Sequence, residues 1–396
     1  MKFNWKRLLQ AVAVAALTTT FAPSAWAQTA YLYYAGGAVN PVTSIDPADV
    51  HTAPTGDQGV FSVWVADINL ADGSVSNWRR AGALLPEVGA APADDLYSWL
   101  FVENTVHIAN GYLYVGAGDW NGDGTRDTAD VLAYARIKSD GTLEPFQLSA
   151  VFPGTPDDQS IGAGALVNAG GGNVYYYILG GTSSGTDRVI YTKLNPTNGT
   201  PGPWSVTTSI SGADWFNRAA VVGTTIIEAN GNLRTTRDAR YATVTPATGA
   251  LSAWSAPTTY EAGAGHWDYA MTNARSGGND FVYILGGAPS PITTVLKTQV
   301  TAGVPGAWTP TTALPVDLRR VTAASVDNYV YVCGGTTGTS SITAAVSTVQ
   351  IGTVAANGDI TWSASPANMP QARGFGGAAI VKAADIAAGV GGWEMY

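Results

Sequence analysis

The chain has 396 residues, 47 of them Gly and 21 Pro; 46% are hydrophobic, 10% aromatic and only 12% charged. That balance excludes a coiled coil, which would be rich in Glu, Lys and Leu, and a disordered chain, which could not bury so much apolar surface. A formal charge of −9 also excludes a general nucleic-acid binder, which needs a basic surface to neutralise phosphates.

In chain order, residues 1–27 read as a secretory signal peptide. Lys2, Lys6 and Arg7 form a positive start, Leu8 to Ala16 is an apolar run, and Ala25-Trp26-Ala27 supplies the small-x-small cleavage pattern. Cleavage before Gln28 would send the chain to the periplasm, the cell surface or the medium. No later stretch is long and apolar enough for a membrane-spanning helix. Cys333 is the single cysteine, so no intramolecular disulfide can form and burial must hold the fold together.

From Tyr31 onward a short aromatic or β-branched run ending in small residues recurs six times. The copies are Tyr31 to Gly37, Tyr112 to Gly118, Tyr175 to Gly181, Thr225 to Gly231, Phe281 to Gly287 and Tyr329 to Gly335. A turn glycine follows each copy, with an aromatic four or five residues later: Gly73 and Trp78, Gly141 and Phe146, Gly199 and Trp204, Gly249 and Trp254, Gly303 and Trp308, Gly358 and Trp362. Successive aromatics are 68, 58, 50, 54 and 54 residues apart. Alternating stretches such as Phe61 to Ile68 and Arg188 to Leu194 lie between the markers, and Asp-Gly and Asn-Gly pairs read as hairpin turns.

Each unit therefore reads as four strands: an inner strand such as Ala219 to Val222, the glycine-ended strand, an alternating strand, and a fourth at the Trp. Four-stranded units at this period predict an all-β fold, a six-bladed β-propeller, with seven blades as the alternative. The run Gly376 to Lys382 looks like an inner strand without a partner, and Tyr31 to Gly37 lacks one. Pairing them closes the ring over residues 28–382 and leaves 383–396 as a tail.

The Gly-Gly pair after an apolar strand, followed by a Trp, resembles the kelch-repeat family over essentially the whole mature chain. Phe146 for Trp, and Glu228-Ala229-Asn230 for the glycine pair, depart from that pattern.

Between the second glycine-ended strand and the next lies Asp119 to Asp130. Asp119, Asn121, Asp123, Thr125, Asp127 and Asp130 fall at the spacing of an EF-hand or dockerin-like loop with Gly124 at the turn, which predicts structural Ca2+ binding. The same acids would otherwise be a repelling surface turn.

Strands of a blade alternate in direction, so this loop shares a face with the segments that lead into the inner strands. Those segments carry Trp99, Trp215, Arg218, His266, Trp267, Asp268, Arg320 and Arg373. Aromatic rings and guanidinium groups in that setting suit sugar faces, hydroxyls or an extracellular protein partner, or they plug the channel. The expectation is a monomeric, non-enzymatic recognition module for a carbohydrate or surface protein. The alternative is a carbohydrate-active hydrolase or lyase using His266 and Asp268, with Asp94-Asp95 or Asp157-Asp158 as a carboxylate pair. His107, in the inner strand, reads as a core residue.

Overall fold

The computed structural model describes residues 29–39, 50–51, 58–60, 62–84, 104–116, 118, 131–153, 162–181, 186–210, 212, 216–231, 235–263, 265–290, 292–338 and 344–388. They form six antiparallel sheets arranged as blades, a six-bladed β-propeller. The inner strands are Gly377–Lys382, Thr105–Ala109, Ala163–Asn168, Arg218–Val222, Ala270–Ser276 and Thr322–Val326, in blades one to six. Each touches its two neighbours, so the six make a closed ring around the axis.

The first blade is built from both ends of the chain. Gly377–Lys382 pairs with Thr29–Ala35, with Ala35 opposite Gly377 and Ala30 opposite Lys382. Thr29–Ala35 in turn pairs with Ser62–Asn69, and Val75–Ala83 forms the outer edge.

The glycine-ended strands are apolar on both sides because each is packed between two blades. Tyr31, Tyr33 and Ala35 join a cluster with Leu113 and Val115 of blade two. The alternate residues Ala30, Leu32 and Tyr34 join a different cluster with Val326 and Tyr331 of blade six. Period-two alternation thus sends successive side chains to opposite seams. Six such clusters exist among the described residues, one for each seam between blades.

The two repeated markers touch one another across those seams. The hydroxyl of Tyr33 donates to the Gly141 carbonyl at 2.7 Å, Tyr114 to Gly199 at 2.7 Å and Tyr177 to Gly249 at 2.6 Å. Tyr283 donates likewise to Gly358 at 2.9 Å and Tyr331 to Gly73 at 2.9 Å. In each case a glycine-ended strand reaches the turn glycine of the following blade. Trp254 and Trp362 donate their indole N–H to the backbone of the preceding blade, at Thr208 (3.1 Å) and Thr312 (3.0 Å).

Three outer strands differ from expectation. Trp254 precedes the fourth strand of its blade, Thr258–Glu261; Trp308 lies between two short pieces, Val304–Pro305 and Thr309–Pro310; and Phe146 precedes Gln147–Leu148. Pro145 adjoins Phe146, Pro257 follows Trp254 by three residues and Pro310 follows Trp308 by two, and each lacks the N–H that a ladder donor needs. Trp204 keeps its place in Pro201–Thr207 because its neighbour Pro203 falls within a bulge, where no ladder donor is needed.

The connection after blade one's first strand adds strands of its own. Ala38–Val39, Val50–His51 and Gln58–Val60 form a small three-stranded sheet. At the other end of the molecule, Ala383–Ala388 is a helix, with Ala383 buried and Ile386 packed on the seam between blades one and two.

Candidate functional site

Call the face from which the inner strands start the upper face, and that of their hairpins the lower face. The segments leading into four inner strands repeat one backbone device. Phe216, Asp268, Arg320 and Phe375, each two residues before its strand, have φ of 59°, 58°, 55° and 64°. Non-glycine residues rarely adopt this left-handed region, so its recurrence marks a position fixed by surrounding structure.

Three of these residues are strung together by their backbones. The Phe375 N–H donates to the Arg320 carbonyl at 3.0 Å, and the Arg320 N–H to the Asp268 carbonyl at 2.7 Å. Their side chains continue the relay: the Arg320 guanidinium lies 4.3 Å from the Phe375 ring centre and its Nε 3.6 Å from Asp268 Oδ2. Arg319 binds the same carboxylate oxygen more closely, at 2.5 Å through Nη2 and 3.0 Å through Nε. Asp268 is buried, and two guanidinium groups offset its charge.

The remaining predicted rim residues divide by burial. Arg218, Trp267 and Arg320 are half-buried, as are Phe216 and Phe375, which sequence reasoning missed. His266 is fully enclosed: Tyr260 Oη lies 3.2 Å from Nδ1, the Gly286 carbonyl 3.0 Å from Nε2, and the Tyr269 ring stacks at 4.6 Å. A Cβ on Gly287 would strike His266 and the Cβ of Tyr269, and its φ of +124° already favours glycine. Burial and the nearby Arg237 push the His266 pKa down to about 3. Arg373 is also buried, and donates to the carbonyls of Gly36 (3.1 Å) and Ser62 (3.2 Å), to the Ser62 hydroxyl and to Gln371. The structure therefore brings Asp268 and Arg320 together, with Arg319 added, and uses His266 and Arg373 to fasten backbone.

Trp99 and Trp215 lie outside the described residues. So do Asp94-Asp95, Asp157-Asp158, the signal peptide and the expected Ca2+ ligands Asp119, Asn121, Asp123, Thr125, Asp127 and Asp130. What is described of that loop is its base: Val115 pairs with Ala133, so the strands on either side of it are neighbours in the sheet.

Along the axis runs a cavity of about 1240 Å³, to which every inner strand contributes, among them Val106, Leu166, Val221, Thr272, Ala324 and Ile380. Among the described residues that line it there is no Trp. Its wall reaches the lower-face hairpins, where Asp327 pairs with Lys382 at 2.8 Å and Asp280 with Arg275 at 3.8 Å. His107 borders it, edge-on to Tyr176 with ring centres 5.4 Å apart, and burial lowers its pKa to about 4.

Ring, rim and axial cavity together define a six-bladed β-propeller whose upper mouth carries aromatic and guanidinium groups. Neither a scan against protein-family models nor a search of the curated proteins finds a match for this chain.

Proposed function

We propose that the protein is an exported, non-enzymatic recognition module of the kelch-repeat type, which binds a carbohydrate or a surface protein through its upper rim. The observation that carries this reading is the half-buried set Phe216, Trp267 and Phe375, interspersed with Arg218 and Arg320, on the segments entering the ring. Half-exposed aromatic faces stack on the apolar side of a sugar ring, and guanidinium groups hold hydroxyls or carboxylates. This reading also takes Trp99 and Trp215 as ligand-binding residues, while His266, Asp268 and Arg373 support the rim from beneath.

The hydrolase or lyase alternative is disfavoured by the state of its proposed machinery. Both ring nitrogens of His266 have protein partners within 3.2 Å, and Asp268 is bound by Arg319 at 2.5 Å. An acid–base pair needs an atom free to meet substrate.

A structural Ca2+ in the Asp119 to Asp130 loop completes the proposal. Its support is the spacing of oxygen-bearing side chains around Gly124, and the paired strands that flank the loop.

A glycan array probed with the purified protein and with Trp267→Ala tests the rim. Binding by the parent and its loss in the variant is the expected result. Turnover of any glycan would overturn the non-enzymatic reading.

A further inference from the structure

The axial cavity of about 1240 Å³ is built in layers, because equivalent residues of the six inner strands meet it at the same height. Their second residues, Ala378, Val106, Gly164, Ala219, Met271 and Ala323, all line it, and none of their first residues does. At its upper end the wall is therefore a ring without a polar side chain.

Two residues further down each strand the ring becomes two-sided. Blades one to four contribute Ile380, Ile108, Leu166 and Val221, whereas blades five and six contribute Asn273 and Ser325. The polar sector continues into the lower hairpins of those same two blades, which bring Asp280 and Asp327 to the wall. The Arg275 N–H donates to the Asp327 carbonyl at 3.1 Å and holds the two hairpins together.

These carboxylates are open to solvent and loosely matched. Asp280 meets Arg275 at 3.8 Å, and that arginine side chain is 69% exposed. Asp327 pairs with Lys382 at 2.8 Å, yet its own side chain is 43% exposed. The charged groups bordering the cavity are thus two carboxylates and one guanidinium, in a chain of net charge −9. Wall and whole protein alike favour a cation over an anion.

We propose that the axial cavity binds a small amphipathic organic cation, a compact hydrocarbon body carrying an ammonium group, admitted from the lower face. The body lies against the aliphatic arc of Ile380, Ile108, Leu166 and Val221. The ammonium, with three N–H donors and no acceptor, faces the oxygens of Asn273, Ser325, Asp280 and Asp327. An apolar wall with a few convergent polar groups is the usual composition of a small-molecule site. The site lies beneath the rim on the axis, and its test involves no glycan.

The probe is amantadine, a hydrocarbon cage bearing one ammonium, titrated calorimetrically into the folded full chain, with adamantanol and adamantane carboxylate as neutral and anionic counterparts. Saturable binding in the millimolar range or tighter is expected for amantadine, with weaker binding of the alcohol and weakest of the carboxylate. Intermolecular NOEs should reach the methyl groups of Ile108, Leu166, Val221 and Ile380. The double variant Asp280→Asn, Asp327→Asn should weaken amantadine about five-fold and leave the alcohol unchanged, as expected for exposed charges. Absence of saturable amantadine binding, equal or tighter binding of the carboxylate, NOEs to other methyl groups only, or unchanged amantadine affinity in the folded double variant would each overturn the proposal. Should the double variant not fold, the ranking of the three probes and the NOE pattern decide.

Discussion

The Tyr331 hydroxyl donates to the Gly73 carbonyl at 2.9 Å, joining blade six to blade one across 258 residues of sequence. Four other seams hold the same bond, and this one closes the circle. Gly73 is constrained twice: its φ is +74°, and a Cβ would lie 2.5 Å from the Tyr329 ring.

Removing the hydroxyl alone should therefore be mild and adding the Cβ severe. Tyr331→Phe is expected to cost about 1 kcal/mol, the net value of one hydrogen bond. Gly73→Ala is expected to cost roughly 2–4 kcal/mol, because backbone strain and overpacking add. Denaturant unfolding of the two variants checks the order, and equal losses would refute the double constraint.

Arg373 fastens the segment before the last strand to the backbone of blade one through Gly36 and Ser62. Arg373→Met should cost about 3 kcal/mol or more, since several buried carbonyl and hydroxyl oxygens lose their donor together. Arg373→Lys should rescue little, because a single ammonium cannot reproduce a planar fork. Unfolding midpoints near the parent value for either variant would contradict this role.

The two described histidines whose pKa values are lowered, His266 to about 3 and His107 to about 4 from an ordinary 6.5, make the fold acid-sensitive. Both are lowered by folding, so below pH 6.5 the unfolded chain takes up protons that the native state refuses. Stability is complete above that pH and falls as pH drops, down to about 4 for His107 and about 3 for His266. The slope is about 1.4 kcal/mol per pH unit for each histidine. Unfolding free energies at pH 7 and pH 5 test it, and His266→Gln or His107→Gln should each remove one share of the slope.

Terbium should luminesce on binding the chelator-treated protein, through energy transfer from Trp120 within the Asp119 to Asp130 loop. Calcium should quench that signal and raise the melting temperature. Asp123→Asn should weaken both effects by removing one ligand charge. A melting temperature indifferent to calcium would sink the metal assignment.

The blade count was legible because its two sequence markers are one physical contact. Tyr33, Tyr114, Tyr177, Tyr283 and Tyr331 each need a turn glycine to receive them, so ring and glycine recur together. The terminal pairing of Gly377–Lys382 with Thr29–Ala35 was readable for a related reason, as two half-blades each lacked a strand. The rim was only partly legible. Arg319, Phe216 and Phe375 carry no common residue type, and what unites the last two with Asp268 and Arg320 is a backbone angle. Likewise, burial of Asp268 and His266 depends on partners from neighbouring segments, and spacing alone could not separate a rim residue from its support.

Blade one also sets a timetable. The strand Thr29–Ala35 is made long before Gly377–Lys382, its partner on the axial side. Until the last strand emerges, Tyr31, Leu32, Tyr33 and Tyr34 present an unpaired apolar edge, the kind that recruits foreign strands. A nascent chain stopped anywhere before Gly377 is therefore not a smaller ring but an open one, and cellular quality control would meet it as a single sticky seam.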